Sequence, residues 1–354
     1  MTNHDVESLS MLEGMVNGEW LDRQEFPPLE WTVEGVVPEG FGLLVAPPKA
    51  GKSWMVAGIG LACAAGGYAL GKIPVKRRPV LYLALEDGHR RLQSRFRTIM
   101  EDAPIPRGID VITQATSSEI PGIIAEYLIL HAERAPLVIL DTLGKVKPPK
   151  RAGDDSYAAD YAIGSRLKAL IDSAPGAALV VVHHTRKAES SDFIDAVSGT
   201  QGIAGSADFV LVLGRKRQSD DAVLSVTGRD VPEAEYALTT TGGRWALDGM
   251  DLMDAAAAAS RRRASDGLAD PSVKAVEFVA SRSTGTRPAE LAEHLGVDPN
   301  RASTVLQRLH SAGRIGKQSR GVYIPLSDVS EVTDYAESES LTSITSLTYP
   351  PDED

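Results

Sequence analysis

Residues 46–53 read Ala-Pro-Pro-Lys-Ala-Gly-Lys-Ser. An apolar run at 41–45 precedes this stretch, and a helix-forming run at 54–65 follows it. Strand, loop and helix in this order are the setting of the G-x-x-x-x-G-K-[ST] loop, whose backbone N–H groups bind phosphate oxygens. The stretch therefore predicts a nucleoside triphosphate site. The plainer alternative is a Gly-Lys-Ser sequence that merely begins a helix.

The residue types of this loop predict separate roles. Lys52 is expected to reach the β- and γ-phosphate oxygens, and the Ser53 hydroxyl to bind Mg²⁺ beside ATP. Alanine at position 46, where the motif has its first glycine, is tolerable only if its φ is negative and if no phosphate oxygen needs the space of its Cβ. The other residues expected to contact the nucleotide are Pro48, Lys49, Ala50, Gly51 and Trp54.

Length and composition narrow the class of protein. A chain of 354 residues is too long for one small core and predicts two domains. The run 54–65 is far shorter than the roughly 20 residues that span a bilayer, and no basic segment leads into an apolar one at the N-terminus. Cys63 is the single cysteine, so neither disulfides nor a cysteine metal site is available. We expect a cytoplasmic protein without membrane contact.

Charge is unevenly distributed along the chain. The net charge of −11 argues against a protein that coats duplex DNA with its whole surface. Residues 261–320 nevertheless carry eleven Lys or Arg against six Asp or Glu, whereas residues 325–354 carry eight acidic residues and no basic ones. The pattern predicts a basic module followed by an acidic tail.

Apolar runs and breakers divide the chain into five parts. We expect an irregular arm at 1–30, an α/β core at 31–252, a linker at 253–271, a small module at 272–326 and a disordered acidic tail at 327–354. Continuous apolar runs in the core are typical of buried parallel strands. These runs are residues 41–45, 80–85, 137–140, 179–182 and 209–213. An antiparallel extension is predicted at 222–226, 234–239 and 244–247, with a turn at 241–243.

Carboxylates follow two of the predicted strands. Asp141 ends the run 137–140 in the manner of a Walker B residue, which would hold Mg²⁺ next to Ser53. Glu86 follows the run 80–85 and is the candidate general base for the attacking water. The alternative is that Glu86-Asp87-Gly88 is an acidic turn in which Asp87 caps the next helix.

Other polar residues follow the remaining strands. The pair His183-His184 suits a sensor of the γ-phosphate, or one buried and one solvated histidine. Two long loops with cations, at 144–157 and 185–201, suit contact with a polyanion, or are plain solvated loops. Their candidate DNA-binding residues are Lys145, Lys147, Arg186 and Lys187. Arg215 and Arg217 follow the last core strand, as surface charge or as an arginine finger for a neighbouring subunit.

These residues in this order carry a family resemblance. Lys52-Ser53, Ala84 to Gly88, Ile139 to Thr142, His183 to Lys187, then Gly199-Thr200 to Ala207-Asp208 and Arg215 resemble the RecA-like ATPases of the RepA-type hexameric helicase group, over about residues 31–250. The resemblance implies an AAA-like P-loop ATPase with Glu86 as catalytic carboxylate, Asp141 as Walker B residue and His184 in the sensor motif. It also implies Arg215 or Arg217 as arginine finger, and a ring that threads single-stranded DNA past the loops named above.

The module at 272–326 reads as a winged helix-turn-helix. Residues 272–282 and 288–295 predict two helices, and Asp298-Pro299 begins a third that Gly313 ends. Residues 314–326 suit a β-hairpin wing. The residues expected to face duplex DNA are Arg301, Thr304, Arg308 and Arg320. The alternative is a module for protein contacts, and the small plasmid-type helicases lack such a module.

Three functions fit this sequence. The first is an ATP-driven motor on single-stranded DNA, a replicative helicase or translocase that works as a homo-oligomeric ring. The second is a RecA-like recombination or repair ATPase that forms filaments. The third is a DNA-binding regulator that ATP switches between conformations. The compact organisation suits a phage or another mobile element.

Overall fold

The structure is a computed structural model that describes residues 14–145, 156–184, 201–216, 219–265, 270–282 and 284–326. Its centre is a nine-stranded sheet with the strand order β13-β12-β11-β10-β3-β9-β8-β6-β7. The strands of this sheet are β3 (Gly40–Ala46), β6 (Val80–Ala84), β7 (Ile109–Ile112), β8 (Leu137–Asp141), β9 (Ala178–His184), β10 (Phe209–Arg215), β11 (Asp221–Gly228), β12 (Ala234–Thr241) and β13 (Arg244–Leu247). The six strands from β10 to β7 pair in parallel, and β11, β12 and β13 extend the sheet by antiparallel pairing.

Helices cover both faces of this sheet. The α-helices among the described residues are α1 (Gly18–Asp22), α2 (Lys52–Ala65), α3 (His89–Met100), α4 (Ile120–Leu130), α5 (Ser156–Asp172), α6 (Gln201–Ala204), α7 (Leu252–Ser265), α8 (Asp270–Ala280), α9 (Pro288–Leu295) and α10 (Pro299–Ser311). Successive strand residues alternate between two buried clusters. Tyr82 and Ile139 pack on the side of α2, whereas Leu83 and Leu140 pack on the side of α4 and α5. Burial on both faces explains why the parallel strands read as continuous apolar runs.

The predicted α/β core with a mainly parallel sheet is confirmed. Each predicted core strand is present, and neither end of any of them differs by more than two residues from the expected bound. Strand β7 was not predicted from the sequence. Only one of its four residues is buried, and an edge strand of mixed polarity lacks a clear apolar run. Two hairpins of very short strands were not predicted either: β1 (Trp31–Val33) with β2 (Val37–Pro38), and β4 (Tyr68–Ala69) with β5 (Ile73–Pro74).

The prediction of a linker at 253–271 is wrong for most of its length. Helix α7 packs on β12, where Ala258 and Ala259 bury against Ala237. Arg262 donates hydrogen bonds to the carbonyl oxygens of Ala222 and Leu238 at 2.8 and 3.0 Å. Side-chain packing therefore attaches this helix to the sheet. The small side chains of the alanine run at 255–259 allow the close contact.

Residues 270–326 form a separate small cluster, which we call the C-terminal module. Helices α8, α9 and α10 pack around Val276, Leu291 and Leu306, and a two-stranded antiparallel sheet of β14 (Gly316–Ser319) and β15 (Val322–Ile324) follows. As expected, the side chain of Asp298 caps α10, and Pro299 is its first residue. Three helices and a hairpin occur in the predicted order, and their assignment as a winged helix stays a prediction.

The N-terminal arm contributes one short helix among its described residues. Helix α1 has Asn17 as its N-cap and buries none of its five residues. Residues 1–13 and the acidic tail at 327–354 lie outside the described part of the chain. Across the described ranges, no helix combines the length and the apolar character that crossing a membrane requires.

Candidate active site

Strand register brings the predicted site residues to one edge of the sheet. Ala46, the last residue of β3, pairs with His184 on β9. Asp141 on β8 pairs with Val182 on one side and with Ala84 on the other. The parallel strands β3, β9, β8 and β6 thus end together, and ligands of open α/β sheets bind at this carboxyl edge.

The loop between β3 and α2 has a conformation that only some residues tolerate. Gly51 has a φ of 104° and Lys49 a φ of 66°, whereas Ala46 is not among the residues with positive φ. The backbone condition for alanine at position 46 is therefore met, whereas the condition on the space of its Cβ stays a prediction. Pro48 and Lys49 are exposed and Ala50 is buried, so the loop presents its first half to solvent.

Lys52 lies buried at the start of α2, with 4% of its surface exposed. Its Nζ donates hydrogen bonds to the carbonyl oxygens of Ala46 and Pro47 at 2.6 and 2.9 Å. It also lies 2.9 Å from Nδ1 of His184. Burial lowers the pKa of Lys52 to about 8, although the Asp141 and Glu86 carboxylates act in the opposite direction.

His184 completes the surroundings of Lys52. Loss of hydration lowers the pKa of His184, and the Lys52 ammonium lowers it further. A neutral imidazole accepts a hydrogen bond at Nδ1 when its proton is on Nε2, which matches the contact with Lys52. The predicted γ-phosphate sensor therefore contacts the lysine expected to bind the same phosphate.

Asp141 is the buried carboxylate of the site, with 3% of its surface exposed. Burial raises its pKa, whereas the Ser53 and Tyr82 hydroxyls lower it. The Tyr82 hydroxyl donates to Oδ2 at 3.0 Å, and the buried Oδ1 has no hydrogen-bond partner. A buried carboxylate oxygen without a partner, with the Ser53 hydroxyl beside it, fits a divalent cation that binds oxygen ligands.

Glu86 follows β6 and is exposed at the same edge. Its Oε1 accepts a hydrogen bond of 3.0 Å from the hydroxyl of Thr142, the residue after Asp141. The competing interpretation, in which Asp87 caps α3, is wrong. The N-cap of α3 is Gly88, and Asp87 pairs instead with Arg91 at 3.2 Å and with the buried Arg95 at 2.5 Å.

A cavity of about 670 Å³ lies between α2 and α3 and adjoins Glu86. Trp54 and Arg95 line it, with the Arg95 guanidinium 5.4 Å from the centre of the Trp54 ring. Trp54, which was predicted to contact the nucleotide, therefore lies in the wall of a positively charged cavity next to the phosphate-binding loop.

Arg215 contacts the loop of its own chain. Its Nη1 lies 3.4 Å from the carbonyl oxygen of Ala50, and its Nε donates to the carbonyl oxygen of Ser219 at 2.6 Å. The guanidinium also lies 5.5 Å from the centre of the Trp245 ring. The other finger candidate, Arg217, lies outside the described residues.

The predicted DNA-binding residues fall into two groups along the chain, in the core and in the C-terminal module. Lys145 is exposed shortly after Asp141, and the candidates Lys147, Arg186 and Lys187 lie outside the described residues. In the C-terminal module, Arg301, Thr304, Arg308 and Arg320 are all exposed, and Arg308 also donates a hydrogen bond of 2.7 Å to the Ser272 hydroxyl. Arg308 is therefore engaged in holding α10 against α8.

The sequence did not predict a role for four residues whose side chains contact Asp141, Asp87, Glu86 or the loop at Gly51. These residues are Tyr82, Arg95, Thr142 and Trp245. Thr142 had a signal, because it directly follows the Walker B residue. Tyr82 occupies an apolar position within a strand, and Arg95 reads as one of several cations on α3. Trp245 lies 194 residues from Gly51, to whose carbonyl oxygen it donates a hydrogen bond of 3.2 Å.

The loop before α2, the buried Asp141 and the exposed Glu86 lie at one edge of a mainly parallel α/β sheet, which is the arrangement of a P-loop ATPase. A profile of the AAA domain family matches residues 8–190, more than half of the chain, and the chain belongs to this family. Comparison with curated protein sequences gives no match.

Several solved structures are similar to the chain at 14% sequence identity. The ATPase domain of G40P matches with a TM-score of 0.48, over 59% of this chain and 84% of that domain. A DnaB-like replicative helicase, solved for its interactions with primase, matches with a TM-score of 0.46, over 58% of this chain and 57% of the helicase. A KaiC-like protein of the archaeon Pyrococcus horikoshii matches with a TM-score of 0.42, over 62% and 94% respectively.

Proposed function

We propose that this ATPase is a motor on single-stranded DNA that works as a homo-oligomeric ring of the RepA-type replicative helicase group. The observation that carries the proposal is the convergence of Lys52, His184, Asp141 and Glu86 at one sheet edge. A cation for phosphates, a metal-binding carboxylate and a second, exposed carboxylate are the groups that hydrolysis of a phosphoanhydride requires.

Each residue has a distinct task in this proposal. Lys52 exchanges its carbonyl and His184 partners for phosphate oxygens when ATP binds. Ser53 and Asp141 would hold Mg²⁺, which supplies charge neutralisation for the phosphate oxygens when bound. Glu86 accepts the proton of the attacking water, and the Thr142 hydroxyl fixes the orientation of its carboxylate.

Placement of the cationic loops supports the action on DNA. Lys145 is exposed four residues after Asp141, so it leaves the sheet at the edge that carries the site. Lys147, Arg186 and Lys187 follow the same two strands in sequence and are proposed to bind phosphodiester groups with it. His184 joins the ATP site to the second of these loops, because that loop begins at the next residue.

An arginine finger from a neighbouring subunit is part of the ring proposal. Arg215 is already held by Ala50 and Ser219 of its own chain, which favours Arg217 for this task. Exposure of Arg301, Thr304 and Arg320 supports a second contact of the C-terminal module with duplex DNA or with a protein.

The test is ATP hydrolysis with and without single-stranded DNA. Wild type is expected to hydrolyse ATP faster with DNA, whereas Lys52→Ala and Glu86→Gln lose this turnover. Glu86→Gln still binds ATP, because its carboxylate acts on water and not on the phosphates. Glu126→Gln, an exposed carboxylate on α4, is the matched control and should behave as wild type.

Two results would contradict the proposal. Unchanged turnover in Lys52→Ala or Glu86→Gln would remove that residue from the mechanism. ATP hydrolysis that ignores single strands, together with sequence-preferring duplex binding by the C-terminal module, would favour an ATP-switched regulator. Electron microscopy with DNA and a slowly hydrolysed ATP analogue separates closed rings from the open filaments of a recombination ATPase.

A further inference from the structure

The antiparallel strands added to the sheet contact the phosphate-binding loop from behind. The indole Nε1 of Trp245 on β13 donates to the carbonyl oxygen of Gly51 at 3.2 Å. Arg215 at the end of β10 reaches the neighbouring carbonyl oxygen of Ala50 at 3.4 Å. The two side chains also contact each other, with the guanidinium 5.5 Å from the ring centre. Two consecutive peptide groups of the loop are therefore held from the same side.

Peptide geometry gives these contacts a consequence for phosphate binding. In a trans peptide the carbonyl oxygen and the following N–H point in opposite directions. The Gly51 carbonyl accepts from the backbone N–H groups of Trp54 and Met55 at 3.1 and 3.0 Å as well as from Trp245, and in this orientation it sends the Lys52 N–H the opposite way. An Ala50 carbonyl directed at Arg215 does the same for the Gly51 N–H. The first N–H groups of a helix lack helical partners, and those of a phosphate-binding loop receive the anion.

Shape supports the same conclusion. A Cβ on Gly51 would lie 2.8 Å from Cζ2 of Trp245, so the indole lies directly against the glycine backbone. On the same hairpin, Gly243 in the turn before β13 has a φ of 87°, and a Cβ there would lie 2.3 Å from the Trp54 ring. The hairpin thus packs against the loop at Gly51 and against the first turn of α2 at Trp54.

We infer that Trp245 and Arg215 are positioning residues, which hold the N–H groups of Gly51 and Lys52 toward the phosphates before the nucleotide arrives. The inference rests on the proposed function, since it requires that the loop binds a nucleotide. These N–H groups are proposed to bind the β-phosphate, which ATP and ADP share. Loss of either contact should therefore weaken the binding of ATP and ADP alike. Turnover at saturation should change little.

The test measures the dissociation constants of ATP and ADP, and kcat, for Trp245→Phe, which keeps an aromatic ring but loses the N–H donor. Loss of one neutral hydrogen bond predicts that both dissociation constants rise about 2- to 10-fold. Trp31→Phe is the matched control, because Trp31 lies on β1, outside the nine-stranded sheet, where its carbonyl oxygen accepts from Arg78. It should bind both nucleotides as wild type does.

Unchanged dissociation constants in Trp245→Phe, or a loss of kcat alone, would overturn the inference. Arg215→Gln provides a second measurement if the tryptophan variant does not fold, as judged by circular dichroism. A parallel rise for ATP and ADP in Arg215→Gln supports positioning, whereas a fall in kcat with unchanged binding would assign Arg215 to a neighbour's site. Lys52→Ala separates the two hypotheses: if it retains full nucleotide affinity, the proposed ATP site itself fails.

Discussion

ATP affinity should fall as the pH rises through 8, because Lys52 must be protonated to bind phosphates. In the free chain, burial lowers the pKa of Lys52 to about 8. Bound phosphates favour the ammonium and hold its pKa higher in the complex. Below pH 8 the ammonium is already present, and above pH 8 the complex must take up a proton. The dissociation constant is then proportional to 1 + 10^(pH − 8) up to the pKa of the complex.

This relation sets the size of the effect. Between pH 7 and pH 9 the factor rises from about 1.1 to about 11, so affinity should weaken about 10-fold, or about 1.4 kcal/mol. His184 does not oppose the trend, because its pKa is lowered and it stays neutral throughout this range. Proton uptake on binding should approach one per ATP at pH 9.

Isothermal titration calorimetry of ATP at pH 7 and pH 9 measures both quantities, when each titration is repeated in two buffers with different ionisation enthalpies. Lys52→Met is the control, since it keeps an unbranched side chain of similar length without the titrating group. Equal affinity of the wild type at the two pH values would refute the reasoning. So would an equal pH dependence in Lys52→Met, because the titrating group would then lie elsewhere.

Two further substitutions test contacts around the sheet. Thr142→Val removes the donor to Glu86, and kcat should fall about 3- to 10-fold with ATP binding unchanged, as measured by steady-state kinetics; a higher dissociation constant with unchanged kcat would contradict this. Arg78→Met removes buried hydrogen bonds to Thr32 Oγ1 and to the carbonyls of Trp31 and Ala135, and should lower the free energy of unfolding by at least about 1–3 kcal/mol in urea titrations. Stability equal to wild type would show that these acceptors find other donors.

Local sequence was enough to predict the parts of the site that lie next to a strand end. The sequence of residues 46–53 is typical of a phosphate-binding loop and of few other structures. Asp141 comes directly after an apolar run. Because parallel strands share one carboxyl edge, these residues had to lie near each other once the strands were recognised. The role of each residue in catalysis stays a prediction.

Contacts between distant residues could not be predicted in the same way. Asp87 was expected to cap α3 because it precedes the helix, but Arg95 two turns later is buried beneath Trp54 and takes its carboxylate. A buried guanidinium needs a carboxylate partner, because leaving it unpaired costs free energy. The Asp87 side chain therefore turns toward Arg95 instead of capping α3. No local pattern carries that information, since the sequence shows only an arginine among other polar residues.

The same limit explains why helix α7 was predicted as a linker, and why the contact of the antiparallel extension with the loop at Gly51 was not predicted. An alanine run reads as a weak core, yet small side chains let α7 approach β12 closely enough for Arg262 to reach two backbone carbonyls. Trp245 reads as a core residue of an edge strand, which it is, but its N–H needs a partner once the ring is buried. That partner is the carbonyl oxygen of Gly51 in the phosphate-binding loop. Because the buried N–H needs an acceptor, the last strand of the sheet contacts the loop that we propose binds the nucleotide.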